Sequence, residues 1–187
     1  MLFPIEIVPY DDNWINIYNS EKKKLSDSLG PNIMKGIEHF GSTAVPGLAS
    51  KPIIDILIEI PNLIDELKSD IVEAMKILKY QFIWRTDDLI PYMNFVKGYF
   101  PTGYKGNIIH VHMGDNTHPL WDRLFFRDYL IAHPETAHEY ETLKYELAKK
   151  YKYNREKYTE GKSDFVQYIT KKAKNEISKL NVNINSK

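Results

Sequence analysis

The chain contains no cysteine, which removes disulfides, thiolate metal sites and cysteine nucleophiles from consideration. It has no surplus of either charge: 25 basic and 25 acidic residues leave a formal net charge of +0 at pH 7. Nucleic-acid-binding domains ordinarily carry a basic excess, so general nucleic-acid binding is not expected, whereas a balanced total leaves room for a local phosphate site. No stretch approaches the ~20 consecutive apolar residues that a membrane span needs. The opening segment Met1-Leu2-Phe3-Pro4-Ile5-Glu6-Ile7 lacks the basic start and long apolar run of a secretory signal. These absences together read as a cytoplasmic protein without a membrane segment. A phosphate-binding P-loop is missing too. Gly41 and Gly47 are one residue too far apart, and no Lys-Ser/Thr pair follows.

What is present suits a single domain over residues 1–180 with a polar tail at 181–187: 187 residues, 43% of them hydrophobic and 13% aromatic, with 13 tyrosines. The pattern is α+β. Residues 5–9 read as an edge strand or extended arm ending at Pro9. A helix capped by Asp11 or Asp12 carries Trp14, Ile17, Tyr18, Leu25 and Leu29 at helical spacing and stops at Gly30-Pro31. A strand at 36–40 follows. The clearest strand spans 53–60, with Ile54, Ile56, Ile58 and Ile60 on one face and Ile53, Asp55, Leu57 and Glu59 on the other. The aliphatic face is expected to pack on helices. A helix from Leu63 to Leu78, strands near 80–85, 92–99 and 107–113, and helices at 119–132, 134–151 and 163–180 complete the reading. The tail after Asn181 is expected to fray.

The segment from His39 to Glu59 carries the chemistry. A Gly41-Ser42 turn follows a short apolar run, and Lys51 and then Asp55 follow the turn. Small residues let backbone N–H groups approach an anion, and a carboxylate on a rigid strand can hold a divalent cation. The arrangement reads as a dock for a metal–triphosphate. His110 and His112 share a face of their own strand. If that strand neighbours the one bearing Asp55, the three side chains form a two-histidine, one-carboxylate set, which suits Mn²⁺, Fe²⁺ or Zn²⁺ better than Mg²⁺. One histidine is alternatively a general base. Plainer readings stand beside these. Gly41-Ser42 is also an ordinary turn pair, Asp55 a salt-bridge partner for Lys51 or an arginine, and His39 a hydrogen-bond partner for the loop. Arg127 and Asp128 read as an ion pair, and Lys144 and Lys162 as surface charges.

Three blocks extend these observations into a family resemblance: Ile37 to Leu48 continuing through Lys51 to Ile56, then His110-Val111-His112, then Phe126 to Leu130 with His133-Pro134-Glu135, Tyr140 and Leu143-Lys144. A weaker echo is Tyr158 to Phe165. With them the chain resembles the GrpB family and, more broadly, the nucleotidyltransferase superfamily. The resemblance implies a nucleotidyltransferase-like mixed β-sheet flanked by helices with a helical C-terminal part. It implies a divalent metal, Mg²⁺ or Mn²⁺, and a nucleoside triphosphate or other phosphorylated small molecule as partner. By that analogy Gly41, Ser42 and Thr43 cradle phosphates, Lys51 and Arg127 supply positive charge, and Asp55 is the first metal ligand. His110 and His112 complete the catalytic or metal set. The superfamily pattern places a second carboxylate two residues after Asp55, but position 57 is leucine. Glu59, the remaining candidate, lies about 6.6 Å beyond position 57 at about 3.3 Å per residue. The activity implied is metal-dependent nucleotidyl transfer to an unidentified acceptor. The alternatives are a non-catalytic ligand-binding or interaction module and a transition-metal phosphohydrolase using Asp55, His110 and His112.

Overall fold

The computed structural model describes residues 4–62, 64–85, 90–100 and 103–185. Helix α1 (Asn13–Ile33) buries Trp14, Tyr18, Leu25 and Leu29 along one stripe. The Asp11 carboxylate accepts the Asn13 backbone N–H at 2.9 Å just ahead of the first turn. Gly30 leaves helical geometry at φ 68°, and the helix resumes through Pro31 to Ile33. The expected stop is therefore a kink: glycine tolerates the left-handed φ, and proline suits the first turn of the resumed helix.

The remaining elements are β1 (Gly36–Phe40), β2 (Ile53–Glu59), α2 (Ile64–Ile77), β3 (Gln81–Arg85), β4 (Tyr92–Phe100), β5 (Gly103–Gly114), α3 (Asp122–Ala132), α4 (Pro134–Lys150), α5 (Arg155–Glu160) and α6 (Ser163–Asn185). The helix start expected at Leu63 lies outside the described residues. Helix α5 was not anticipated, and α6 runs past the point at which fraying was expected. Residues 5–9 contribute one antiparallel bridge, Val8 to Ser50, and so form an extended arm.

The strands make one mixed sheet in the order β1-β2-β5-β4-β3. β2 and β5 are parallel, and the other neighbours are antiparallel. Alternation gives this sheet two different faces. On one face Ile54, Ile56, Ile58, Met93, Phe95 and Val111 pack against Trp14, Leu25 and Leu29 of α1 and Ile71 and Met75 of α2. Each of these fully buried side chains contributes roughly 1.5–3 kcal/mol. The aliphatic face of β2 thus packs on helices as expected.

The opposite face carries the polar residues. The β2–β5 register sets Asp55 beside His110 and Leu57 beside His112. The β4–β5 register sets Val96 beside His110 and Asn94 beside His112. The turn ahead of α3 and α3 itself cover this face in part, through Leu120 and Leu124 against Phe40, Leu57 and Tyr92, and α3 packs in turn on α6 through Tyr129 against Ile169 and Ala173. Among the described residues no helix is long and apolar enough to cross a membrane.

Candidate functional site

At the end of β1 the chain turns at Gly41, with φ 73° and ψ −174°. That backbone region is essentially restricted to glycine. A Cβ on residue 41 would lie 2.6 Å from Asp55 Oδ2, so the carboxylate also needs the empty space. The turn is braced from behind. The Thr43 hydroxyl donates to the Ile53 carbonyl at 2.9 Å and bonds His39 Nε2 at 3.1 Å. Thr43 is thereby committed to holding the loop. His39 also stacks on Tyr18 with ring centroids 4.7 Å apart.

Burial holds the His39 imidazole down at about 4 against an opposing pull from Asp55, with the Arg127 charge adding a smaller push downward. An unfolded histidine titrates near 6.5. Between those values the unfolded chain takes up a proton that the native state refuses, so stability falls as pH drops from 6.5 towards 4. His39→Gln keeps a partner for Thr43 and removes that proton. Urea unfolding at pH 7.0 and 4.5 is expected to give a smaller loss of stability in this variant than in the wild type. Equal losses would show that His39 is not the group responsible.

Asp55, His110 and His112 converge. One ligand atom from each lies within 4.8 Å of the others. Asp55 Oδ1 is 3.4 Å from His110 Nδ1 and 4.0 Å from His112 Nε2. The far ring nitrogens are also held, His110 Nε2 by the Tyr99 hydroxyl at 2.8 Å and His112 Nδ1 by the Tyr92 hydroxyl at 3.3 Å. Hydrogen bonds behind metal-facing imidazoles fix the ring orientation and tautomer that ligation requires. The donor set fits a metal ion. Burial alone would raise the Asp55 carboxyl, but the hydrogen bond from His110 and the neighbouring Lys51 hold it below its ordinary range. Burial, reinforced by Arg123, keeps His112 well below the ordinary histidine value and therefore neutral at pH 7.

Gly41, Ser42 and Asp55 share one hollow of ≈ 170 Å³. Lys51, Lys144, Lys162 and Arg155 also line it, together with Tyr140 and Tyr158. Lys51 and Lys162 sit 5.0 and 4.5 Å from the Tyr158 ring centroid, and Lys144 sits 5.0 Å from that of Tyr140. Lys144 donates to the Ala49 carbonyl. Burial, then repulsion from neighbouring cations, brings Lys51 and Lys144 to about 7. Burial and Arg155 bring Lys162 to about 8. Among the described residues lining the hollow Asp55 is the one acid. Several crowded cations facing one carboxylate make a setting that a multiply charged anion would relieve.

Other residues singled out in the sequence stand elsewhere. Arg127 lines neither this hollow nor the sheet face beside it. It donates to Glu38 at 2.8 Å, to Asp128 at 2.6 Å and to the His39 carbonyl at 2.7 Å, and so ties α3 to β1. Glu59 lies at the end of β2 beside Gly36, away from the cluster. Leu57 is 0% exposed, packed with Phe40, Tyr92 and Leu120. Position 57, where the resemblance leads to the expectation of a second carboxylate, is core here, and the residue beside it on β5 is His112.

Lys144 and Lys162 correct the surface reading: Lys144 is only 2% exposed and both line the hollow. Their signal was their place within the family-like blocks around Tyr140 and Tyr158. Arg155 carried no such signal.

Comparison with known proteins bears on the family and the fold. The family model described as GrpB protein matches residues 4–172. UPF0157 protein YqkA of Bacillus subtilis (strain 168) is 36% identical over 173 residues, 91% of this chain but 47% of YqkA, so this chain spans about half of that relative. Glutamate-rich protein GrpB of Alkalihalophilus pseudofirmus is 37% identical over 168 residues, 87% of this chain and 92% of that protein. The crystal structure of conserved protein GrpB from Enterococcus faecalis has a TM-score of 0.75 at 31% identity, covering 90% of this chain and 96% of that one. Cid1 in complex with its short product ApU has a TM-score of 0.52 at 14% identity, over 76% of this chain and 43% of Cid1. That likeness speaks for the fold alone, which is nucleotidyltransferase-like. With a matching family model over nearly its whole length and GrpB relatives in both sequence and structure, the chain belongs to the GrpB family.

Proposed function

We propose that this protein binds a nucleoside triphosphate, or a related polyphosphate-bearing small molecule, together with a divalent metal, in an arrangement suited to nucleotidyl transfer. One observation carries the reading: Asp55 touches the Gly41 turn on one side and the His110–His112 pair on the other, inside a hollow walled by lysines. In this reading the backbone N–H groups of Gly41 and Ser42 face phosphate oxygens, and Lys51, Lys144 and Lys162 supply point charges. Asp55, His110 and His112 would hold the metal. Two imidazoles and one carboxylate favour Mn²⁺, Fe²⁺ or Zn²⁺ over Mg²⁺. The metal, when bound, neutralises charge on phosphate oxygens. Tyr99 and Tyr92 keep the two imidazoles aimed.

A binding module without turnover is the second reading, and the buried Leu57 favours it. Both readings require binding. Release of pyrophosphate from ATP that depends on Mn²⁺ and an acceptor separates them in favour of the first.

The test is calorimetric titration of α,β-methylene ATP with Mn²⁺ into the protein. At pH 8 Lys51 and Lys144 are largely neutral in the free protein, given values of about 7. A bound polyphosphate restores their charge, so binding takes up protons and weakens as pH rises from 7 to 9. The expected loss is up to about tenfold per pH unit for each proton taken up. Titrations in buffers of different ionisation enthalpy read the proton count directly. Absence of binding at millimolar nucleotide contradicts the proposal.

A further inference from the structure

Beyond His110 the polar sheet face continues into a cleft of ≈ 520 Å³ over β3, β4 and β5, which the metal and the phosphates leave unassigned. Its volume falls in the range of small-molecule sites. Arg85 from β3, Arg123 from α3 and Arg155 from α5 line it, and no carboxylate lines it among the described residues. Neither Arg123 nor Arg155 has an acidic partner among the described residues. Arg123 lies over the Phe40 ring at 5.5 Å, and Arg155 donates to the Tyr99 hydroxyl at 3.3 Å.

The cleft holds a second, independent sign of a ligand. Asn94 lines it at 6% exposure, and its Oδ1 has no hydrogen-bond donor among the described residues. A buried amide oxygen left bare is costly, and such atoms in native structures call for an explanation. Asn94 stands beside His112 across the β4–β5 ladder, so the bare oxygen is a neighbour of the Asp55–His110–His112 cluster. Guanidinium forks suit carboxylate and phosphate oxygens, and an orphan acceptor suits an O–H or N–H.

We propose that this cleft is the subsite for a second ligand, a small anion that also carries a hydroxyl or amino group. Its carboxylate or phosphate sits against Arg123 and Arg155, and its O–H or N–H donates to Asn94 Oδ1 once that buried amide turns towards the cleft. That contact brings the donor group to the edge of the metal cluster. Arg155 borders both spaces and lies between the two anions. The inference rests on the metal–nucleotide reading of the adjoining hollow and names the class of molecule that reading leaves open.

The test uses the full chain saturated with α,β-methylene ATP and Mn²⁺. The probes are glycerol 3-phosphate and D-glycerate, the first a phosphate and the second a carboxylate, each bearing hydroxyls. At least one is expected to bind, and its preference over the other identifies the anion. Arg123→Gln is expected to weaken that probe at least tenfold while α,β-methylene ATP–Mn²⁺ affinity stays within about twofold. Asn94→Leu, which removes the bare polar atom, is expected to lose the probe and yet raise the melting temperature by ~2–4 °C. Retained nucleotide binding with neither probe bound overturns the inference and leaves the nucleotide reading standing. So does probe binding unchanged in Arg123→Gln, or a cleft that takes only an RNA 3′ end. Loss of wild-type nucleotide binding itself counts against the parent reading instead.

Discussion

Asp55→Asn is expected to lower Mn²⁺ affinity at least ~100-fold and to abolish metal-dependent nucleotide binding. The size follows from position. Removing a hydrogen-bond partner behind a metal ligand typically costs 10–100-fold, and Asp55 would be a ligand itself. The substitution is nearly isosteric, so the space beside Gly41 stays filled and the change is one of charge. That charge also has a structural role, because Asp55 lies beside His110 and faces Lys51 and the other lysines of the hollow. Breaking a buried ion pair commonly costs ~3–5 kcal/mol. Here the side chain is 26% exposed and deprotonation of the lysines relieves part of the repulsion, so the expected loss lies at or below the lower end of that range. The pH dependence has a definite sign. The folded carboxyl titrates below its unfolded value of about 3.9, so its stabilisation is present above that pH and is lost as pH falls through the lower folded value. Asp55→Asn removes that portion of the acid-side decline. Calorimetry with Mn²⁺ and urea unfolding between pH 2.5 and 7 measure both consequences. Wild-type Mn²⁺ affinity in this variant would remove Asp55 from the metal site.

Gly41→Ala is expected to impair the site more than the fold. A non-glycine residue at φ 73° and ψ −174° costs on the order of 1–3 kcal/mol. The new methyl would also start 2.6 Å from Asp55 Oδ2, which forces the carboxylate away from its place beside His110. Mn²⁺ affinity is therefore expected to drop at least tenfold. Gly47→Ala separates the two effects. Gly47 also has positive φ, 78°, but its Cβ would meet nothing within 4 Å. It should lose stability while Mn²⁺ affinity stays near wild type. Equal effects of the two substitutions on Mn²⁺ would mean that the Gly41–Asp55 contact is incidental.

The elements whose periodicity is strong were readable before the structure. The alternation of Ile54, Ile56 and Ile58 against Asp55 and Leu57 gave β2 its two faces, and the stripe of Trp14, Tyr18, Leu25 and Leu29 gave α1. Strand adjacency was not readable. β5 follows every other strand in the chain yet sits at the centre of the sheet against β2, and the meeting of His110 with Asp55 depends on that. Lys144 shows the same limit on a helix. A lysine in a polar, lysine-rich helix looks solvated, and it becomes buried only because α4 packs over the loop that follows Gly41, where the Ala49 carbonyl accepts a hydrogen bond from it. Arg155 lies on a six-residue helix too short to show a period. Arg127 illustrates the reverse case. Its neighbour Asp128 was already visible in the sequence, and the ion pair it forms there, with Glu38 and the His39 carbonyl, leaves its guanidinium in a bracing role.

The most direct measurement is the anomalous difference density of crystals grown with Mn²⁺ and α,β-methylene ATP. The expected result is a Mn²⁺ peak bounded by Asp55, His110 and His112, with triphosphate density running along Gly41 and Ser42 towards Lys51, Lys144 and Lys162. A Mn²⁺ peak away from those three side chains, or nucleotide bound with the hollow empty, would contradict the joint metal and phosphate site.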